Sequence, residues 1–308
     1  MAELARERML RMTGGTFAMG SNRFYPEEAP VRDVEVQPFW IDACTVTNRE
    51  FSQFVRKTGY VTVAERDLNP ADYPGAPVEN LVPGSLVFHM TEGPVSLKDY
   101  SQWWSWVPGT CWKRPEGPGS SIDGKPDHPV VHVAYEDAES YARWAGKRLP
   151  TEAEWEFAAR GGLDQKAFVW GDEMEPGGKP AANTWQGDFP YRSTARHGPG
   201  TLPVGRFAPN GFGLYDMAGN VWEWTSDWYA SDRRTVSPCC GGAREGSYDP
   251  CQPESRIPRK VLKGGSFLCS PSYCLRFRPA ARSPQAIDTG MSHVGFRCVR
   301  DRAEEEPS

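Results

Sequence analysis

The chain has 308 residues, a formal net charge of −5 at pH 7 and a hydrophobic fraction of 39%. This composition allows a packed core, and the acidic balance excludes the basic surface typical of nucleic-acid-binding proteins. No apolar run approaches the roughly 18 residues of a membrane-spanning helix. Charged residues also interrupt positions 1–10, where a signal peptide needs an apolar stretch. We therefore expect a cytoplasmic protein that binds neither nucleic acid nor membrane.

Glycine and proline are abundant, with 31 and 28 residues, and the chain carries 12 tryptophans. This combination is typical of a fold with many turns, few long regular elements and buried aromatic side chains. No fixed-period repeat and no clear linker divides the chain. We predict one compact α+β domain over residues 13–300, with an N-terminal extension (1–12) and a disordered tail (301–308).

Local patterns predict one strand and three short helices. Residues 31–36 alternate apolar and charged side chains, as in a half-buried strand. Two helices begin at capping boxes, in which glutamate follows a threonine by three residues: Thr47 with Glu50, and Thr151 with Glu154. The third has an apolar face at helical spacing, formed by Ala138, Tyr141, Ala142 and Ala145. Glycines follow all three as predicted ends, at Gly59, Gly146 and Gly161.

Two long segments lack a helix or strand pattern. Residues 69–130 are rich in proline and glycine but carry four tryptophans, which predicts a surface excursion anchored by aromatic burial. These are Trp103, Trp104, Trp106 and Trp112. Residues 232–258 form a second predicted loop, which contains Cys239, Cys240 and Cys251.

Cys269 and Cys274 are the cysteines whose surroundings suggest chemistry. Neither a helix nor a strand brings two residues five positions apart onto one face, but Pro271 between them favours a turn that folds one towards the other. Two converging thiolates form a soft ligand pair that selects Cu(I). From the spacing alone, separately buried cysteines or a structural disulfide also fit. A zinc site completed by Cys239, Cys240 and Cys251 is a further alternative.

Polar residues flank this pair. The hydroxyls of Ser266 and Tyr273 can orient a polar substrate or donate a proton, although each also fits an ordinary core or turn hydrogen bond. Three arginines that follow can hold carboxylates or solvate a face: Arg276, Arg278 and Arg282.

A second cluster of interest spans residues 210–224. The carboxylates of Asp216 and Glu223 lie on either side of a Gly-Asn turn whose carbonyls suit a hard cation such as calcium. Trp222, Trp224 and Trp228 have the even spacing of one strand face, most simply a core face.

With both clusters in view, the chain resembles the formylglycine-generating enzymes, the sulfatase-modifying-factor family. The broad blocks of the resemblance also occur in ergothioneine-type sulfoxide synthases and lectin-like binding proteins. The narrower signature of the oxidase is the pair Cys269 and Cys274 with Ser266 and Tyr273. The blocks are Met19–Gly20, Thr45–Asn48, Pro129–Val133, Trp144–Glu156, Gly219–Trp224, Gly264–Ser266 and Gly295–Cys298.

The resemblance implies a fold of the sulfatase-modifying-factor, C-type-lectin-like type with little regular structure. It implies that Cys269 and Cys274 hold Cu(I), and that Ser266 and Tyr273 orient substrate and oxygen. It places Trp228 near the oxygen pocket. The implied substrate is an unfolded or nascent sulfatase segment, Cys-x-Pro-x-Arg, whose cysteine becomes formylglycine with dioxygen and an external thiol. A monomer is expected.

Calcium is the second implied cofactor, and the family's two sites match this chain unevenly. One maps onto Asp216, the carbonyls of Gly219 and Val221, and Glu223. The other maps onto Asn183 and the carbonyl of Thr184, but His197 stands where the family has aspartate, and neutral imidazole is a poor calcium ligand. The two disulfides of animal members have no counterpart, because their matching positions hold Ala142, Ala159, Pro279 and Cys298.

Two other functions stay open at this stage. A thiol–disulfide oxidoreductase needs only two neighbouring thiols and no metal. A non-catalytic lectin-like module would bind peptide or glycan through aromatic residues.

Overall fold

The computed structural model describes residues 9–75, 77, 79, 81–232 and 243–301. Within these ranges, three α-helices and thirteen mostly short strands are joined by long loops. The predicted single α+β domain with little regular structure is confirmed. None of the described helices has the length and apolarity needed to cross a bilayer. The helices are α1 (Asn48–Thr58), α2 (Tyr135–Trp144) and α3 (Glu152–Arg160).

Helices α1 and α3 begin at the two predicted capping boxes. Thr47 accepts a hydrogen bond from the backbone N–H of Glu50, and the Glu50 carboxylate accepts the Thr47 N–H at 2.8 Å. Thr151 and Glu154 form the same reciprocal pair, at 3.1 and 2.8 Å. These bonds satisfy N–H groups that would otherwise have no partner in the first turn.

Glycine ends α1 and α3 in the left-handed conformation, as predicted. Gly59 has a φ of 70° and Gly161 a φ of 58°. Helix α2 begins where the Asp137 carboxylate accepts the N–H of Ala134 at 2.8 Å. It ends just before Gly146, whose φ is 67°.

The largest sheet has four strands in the order β11–β10–β9–β12. Its central strands pair antiparallel, and β12 joins β9 in parallel. The cysteine-containing segment leaves this sheet directly after β10, so the sheet fixes where that segment begins. The strands are β9 (Trp222–Trp228), β10 (Arg259–Lys263), β11 (Arg282–Ala286) and β12 (Val294–Gly295).

A three-stranded sheet, β1–β4–β13, joins the two ends of the described chain. Strand β1 lies inside the predicted N-terminal extension, yet it pairs with β4 along its whole length, and Met12 is buried. Asp301, the first residue of the predicted tail, ends β13 and bonds Arg148. Residues 302–308 lie outside the described residues. The strands are β1 (Met9–Met12), β4 (Phe39–Asp42) and β13 (Val299–Asp301).

Three hairpins complete the regular structure. Strand β3 matches the predicted strand at residues 31–36. The hairpin β5–β6 crosses the segment 69–130, in which Trp103 and Trp112 are buried as predicted and Trp104 and Trp106 are partly buried. The strands are β2 (Gly15–Met19) with β3 (Arg32–Val36), β5 (Gly84–Phe88) with β6 (Trp104–Pro108), and β7 (Gly187–Asp188) with β8 (Arg192–Ser193).

Two apolar clusters form the core. The larger one packs the helices against the two main sheets. The smaller one is almost entirely aromatic and lies beside the cysteine-containing segment. It consists of Trp103, Trp185, Phe189, Phe267 and Leu268.

Candidate functional site

The loop that carries the two cysteines, residues 264–278, starts with a tight glycine turn after β10. Gly264 and Gly265 have φ values of 94° and 72°, in the region that favours glycine. A Cβ on Gly265 would lie 2.9 Å from the Cα of Phe277, so the two ends of the loop touch. This close approach closes residues 264–278 into a compact loop, hereafter the cysteine loop.

Consecutive turns then bring the cysteines together. The N–H of Cys269 bonds the carbonyl of Ser266 at 3.0 Å, and the N–H groups of Tyr273 and Cys274 both bond the carbonyl of Ser270. Pro271 lies in the second turn, so the predicted fold-back is confirmed. The Sγ atoms of Cys269 and Cys274 lie 3.3 Å apart.

The geometry decides between the alternatives for this pair. Both cysteines are free, and their sulfurs converge, so neither separate burial nor a structural disulfide describes them. Within the described residues, no group of three or more His, Cys, Asp or Glu side chains is placed to hold a metal. Cys251 is exposed, and Cys239 and Cys240 lie outside the described residues.

The two thiols differ in acidity. A hydrogen bond from Cys269 lowers the pKa of Cys274 to about 7; burial opposes this shift, and the Arg276 guanidinium adds to it. Burial raises the pKa of Cys269, and the hydrogen bond it gives to the Cys274 thiolate raises it further. The pair therefore rests as a thiol donating to a thiolate near neutral pH.

Arg276, the cation beside Cys274, is held by residues from the beginning of the chain. Its Nη2 bonds the Glu27 carboxylate at 2.7 Å, and its guanidinium lies 3.9 Å from the centre of the Tyr25 ring. The Tyr25 hydroxyl also accepts the N–H of Leu275 at 3.1 Å. These contacts fix the position of the charge next to the thiolate.

All three arginines of this region hold carboxylates rather than solvating a face. Arg276 binds Glu27, as above. Arg278 and Glu28 form an ion pair in which both side chains are at most 1% exposed. Arg282 binds both oxygens of Glu152 at 2.9 Å.

The thiol pair forms part of the wall of a cavity of about 860 Å³. Ser266 and Tyr273 line the same cavity, so the structure brings together four of the five predicted catalytic residues. Aromatic and acidic side chains supply much of the remaining wall. They include Tyr73, Tyr100, Trp103, Trp104, Phe189, Trp222, Asp72, Asp249, Glu254 and Asp288.

Tyr273 and Ser266 are fixed in different ways. The Tyr273 ring stacks on Phe189 at 4.6 Å and meets Trp103 edge-on at 5.5 Å, while 37% of the residue is exposed. Ser266 is fully buried, and its Oγ accepts the N–H of Leu268 at 3.2 Å. A rigid hydroxyl in the wall and a stacked phenol at the surface are both suited to orienting a ligand.

Trp228 is not among the residues that line the cavity. It ends β9, and its ring is covered by the ammonium of Lys260 at 3.5 Å. Trp222, at the other end of the same strand, lines the cavity instead. The two residues stand six positions apart, at opposite ends of β9. Trp222 therefore lines the cavity that holds the thiols, and the expectation for Trp228 stays a prediction.

His293 is a site residue that the sequence analysis missed. Its Nδ1 lies 3.3 Å from Ser266 Oγ, its ring meets Trp104 edge-on at 4.7 Å, and it lines the cavity. Burial lowers its pKa to about 3, so the ring is neutral at physiological pH. The signal that was available is its position, two residues before the block that begins at Gly295.

The predicted calcium ligands Asp216 and Glu223 are both buried. Glu223 Oε2 accepts from Arg297 Nε and Trp155 Nε1, at 2.7 and 2.8 Å, and Oε1 accepts from Arg297 Nη2 at 2.8 Å. These three bonds use three of the roughly four acceptor positions of a carboxylate. These bonds leave one acceptor position of Oε1, and Arg297 already neutralises one of the two carboxylates.

The second set of calcium ligands offers only neutral donors. Asn183 uses its Nδ2 to bond the carbonyl of Gly200 and the Oδ1 of Asn220. The Thr184 carbonyl accepts from the Gln186 amide at 3.4 Å, and His197 is exposed. Because calcium sites rely on carboxylates for affinity, this set does not fit the ion.

Comparison with known proteins identifies the family of this chain. Residues 2–302 match the family model described as "Sulfatase-modifying factor enzyme 1-like domain". A curated formylglycine-generating enzyme from Mycobacterium tuberculosis is 54% identical over 298 residues, covering 95% of this chain and 97% of the relative. Another from Thermomonospora curvata is 50% identical over 304 residues, covering 95% and 93%.

The fold is also known from solved structures. PvdO from Pseudomonas aeruginosa superposes with a TM-score of 0.64 at 23% sequence identity, covering 96% of this chain and 95% of that one. That likeness concerns the fold alone. The family match over nearly the whole chain, together with the identity to the two bacterial relatives, shows that the protein belongs to the formylglycine-generating enzyme family, the sulfatase-modifying-factor enzymes.

Proposed function

We propose that this protein converts a cysteine of a sulfatase polypeptide, in a Cys-x-Pro-x-Arg segment, to formylglycine, using copper(I), dioxygen and an external thiol. The relatives named formylglycine-generating enzyme support the conversion. The single observation that carries the proposal is the approach of the Cys269 and Cys274 sulfurs to 3.3 Å on the wall of a large cavity. A peptide thiol entering that cavity would meet both sulfurs.

The reaction balances with one oxygen molecule and two added electrons. The substrate CH₂–SH group loses two hydrogens to give a thioaldehyde, which water hydrolyses to the aldehyde and hydrogen sulfide. Dioxygen takes up four electrons and four protons to form two waters. Two of these electrons come from the substrate and two from the external thiol, which becomes a disulfide.

The donor chemistry of the thiol pair fits copper(I). Two thiolates are soft ligands, and the lowered pKa of Cys274, about 7, makes its thiolate readily available near neutral pH. Cys269 must lose its proton when a metal binds, because only the thiolate is a ligand. When bound, copper(I) would supply the one-electron chemistry that allows dioxygen to react with a thiol.

The remaining residues bind and orient the substrate. Tyr273, stacked on Phe189, places its phenol at the cavity surface, where it can hydrogen-bond the bound peptide. Ser266 lies next to the thiol pair, since its backbone N–H bonds Cys269 Sγ at 3.4 Å. A peptide bound against the aromatic wall would displace water from around the thiols, which strengthens these polar contacts.

A peptide conversion assay tests the proposal. Purified protein is loaded with Cu(I) and incubated with oxygen, dithiothreitol and a Cys-x-Pro-x-Arg peptide. The peptide should change mass by the difference between a CH₂SH and a CHO side chain and should then react with a hydrazide. Cys269→Ser and Cys274→Ser should abolish conversion, while Cys251→Ser, at an exposed cysteine, should retain it. An unchanged peptide with the wild type would refute the proposal.

The same pair of sulfurs also suits a metal-free thiol–disulfide oxidoreductase. That function predicts disulfide exchange without oxygen or copper. A copper(I) chelator should therefore leave turnover intact if exchange is the activity, and should stop it if formylglycine is formed. A third function, non-catalytic binding of peptide or glycan, predicts that both cysteine variants bind the ligand as well as the wild type does.

We propose in addition that one calcium ion binds at Asp216, Glu223 and the carbonyls of Gly219 and Val221. One remaining acceptor position on Glu223 Oε1 supports this proposal, and the charge of Arg297 nearby makes the site weaker than one with two unpaired carboxylates. Calcium should raise the melting temperature of the wild type and leave Asp216→Asn unaffected. Equal shifts in both proteins would contradict this site.

We also propose that the protein acts as a monomer in a reducing compartment. The free state of the six described cysteines supports the compartment. Analytical ultracentrifugation tests the oligomeric state, and a sedimentation coefficient of a dimer would exclude the monomer.

A further inference from the structure

Ser266 and His293 form a hydrogen-bonded pair on the cavity wall, and nothing above assigns a role to the histidine. Nδ1 of His293 lies 3.3 Å from Ser266 Oγ, and both residues line the cavity with the two thiols. The Trp104 ring meets the imidazole edge-on at 4.7 Å, which limits rotation of the ring. The imidazole is therefore held between Ser266 and Trp104.

The bonds of Ser266 restrict what its hydroxyl can offer a substrate. Its Oγ already accepts the N–H of Leu268 at 3.2 Å, and a serine hydroxyl has one hydrogen to donate and a second acceptor position. If Nδ1 of His293 accepts the hydroxyl hydrogen, only that acceptor position remains for a ligand. If His293 were absent, the hydroxyl hydrogen would be free to rotate towards the sulfurs.

We propose that His293 is a positioning residue that accepts the Ser266 hydroxyl hydrogen at Nδ1, so that Ser266 Oγ faces the bound substrate as a hydrogen-bond acceptor. The proton of the neutral ring then resides on Nε2. The hydrogen bond to Ser266 Oγ is donated by the substrate, either by its thiol S–H or by a backbone N–H. This inference rests on the proposed function, because it gives an orientation to Ser266, one of the residues that the proposed function assigns to substrate binding.

A double-mutant cycle tests this role with the full-length, copper-loaded protein and the Cys-x-Pro-x-Arg peptide. His293→Leu should lower kcat by about tenfold, the effect of losing one oriented hydrogen bond, with the peptide KM nearly unchanged. His293→Asn, which keeps an acceptor near the position of Nδ1, should recover most of the loss. In the Ser266→Ala background, His293→Leu should cost nothing further, because the histidine acts through the serine.

A matched control separates this role from general stability. His128 makes a similar bond, with Nδ1 2.9 Å from Thr201 Oγ1, away from the cavity lining. His128→Leu should leave kcat unchanged even if it lowers the melting temperature. If His293→Leu loses its near-ultraviolet circular dichroism, His293→Phe, which keeps a ring against Trp104, replaces it in the cycle.

Two results would overturn the inference while the proposed function stands. One is a wild-type kcat in the His293→Leu enzyme. The other is a loss that adds fully to that of Ser266→Ala. A wild-type protein that leaves the peptide unchanged would instead refute the proposed function, and the inference with it.

Discussion

At the scale of single residues, the site depends on two sulfurs with different surroundings. Cys269 and Cys274 are chemically identical side chains, but the pKa of Cys274 is lowered to about 7 and that of Cys269 is raised. The difference arises because Cys269 is the more deeply buried and donates to its partner, while Arg276 lies next to Cys274. The pair is thereby asymmetric before any ligand arrives.

Replacing Arg276 should change the reactivity of Cys274. Iodoacetamide reacts with the thiolate form of cysteine, so the alkylation rate rises with the ionised fraction of Cys274. In the metal-free protein this rate should reach half its maximum near pH 7. Arg276→Gln removes a positive charge that favours the thiolate, and the midpoint should therefore move to higher pH. The measurement is the pH profile of Cys274 modification by peptide mass spectrometry.

Arg66→Gln serves as the control for that experiment. Arg66 forms a partly exposed ion pair with Glu136, so its removal should leave the alkylation midpoint in place. An Arg276→Gln profile that coincides with the wild type would mean that the guanidinium does not stabilise the thiolate.

The sequence analysis found some of these residues and missed others. The cysteine pair was found because the turn at Pro271 is local and because the family resemblance identified the pair as a candidate metal site. Its spacing alone left several alternatives. The partner of Arg276 could not be found, since Glu27 lies 249 positions away and no local pattern links the two. His293 was missed for the same reason, because only the fold brings it to Ser266, 27 positions away.

At the scale of elements, the helices were predictable and the sheets were not. A capping box and a terminal glycine lie within one helix and its neighbours, so Thr47, Thr151 and their glycines specified α1 and α3 directly. The parallel pairing of β12 with β9 joins residues about 70 positions apart. The same limit applies to β9, because the even spacing of its tryptophans does not say that Trp222, at its first position, lines the cavity.

The two glycine caps provide a matched pair of variants. At both positions alanine must adopt a left-handed conformation, at a cost of about 1–2 kcal/mol. At Gly59 a Cβ meets nothing within 4 Å, whereas at Gly161 it would lie 2.9 Å from the backbone nitrogen of Gly211. Gly161→Ala should therefore reduce the free energy of unfolding more than Gly59→Ala, as measured by urea denaturation. Equal losses would show that the contact with Gly211 relaxes without cost.

At the scale of the whole molecule, the site is assembled from distant parts of the chain. The cavity wall combines residues from the segment 72–104, from residues 249–259 and from the cysteine loop through His293. The N-terminal loop at residues 24–28 supports the back of the cysteine loop through Tyr25, Glu27 and Glu28. Global stability and the geometry of the thiols are therefore coupled.

The ion pair between Glu28 and Arg278 is the most deeply buried of these links. Both side chains are at most 1% exposed, and Arg278 also donates its Nε to the carbonyl of Leu275 at 2.8 Å. Glu28→Gln leaves a buried guanidinium without its counter-charge, which costs about 3–5 kcal/mol in comparable pairs. We expect a large loss of unfolding free energy, together with weaker Cu(I) binding, because the cysteine loop loses its support.

The test compares urea denaturation and Cu(I) titration of Glu28→Gln with those of Glu139→Gln. Glu139 pairs with Arg143 on the exposed side of α2, where removing a partner should cost less than about 0.5 kcal/mol. The double variant Glu28→Leu/Arg278→Met should recover part of the stability, since it removes both charges and leaves neither buried alone. If Glu28→Gln were as mild as Glu139→Gln, the cysteine loop would be held by its own turns, and the N-terminal loop would merely lie against it.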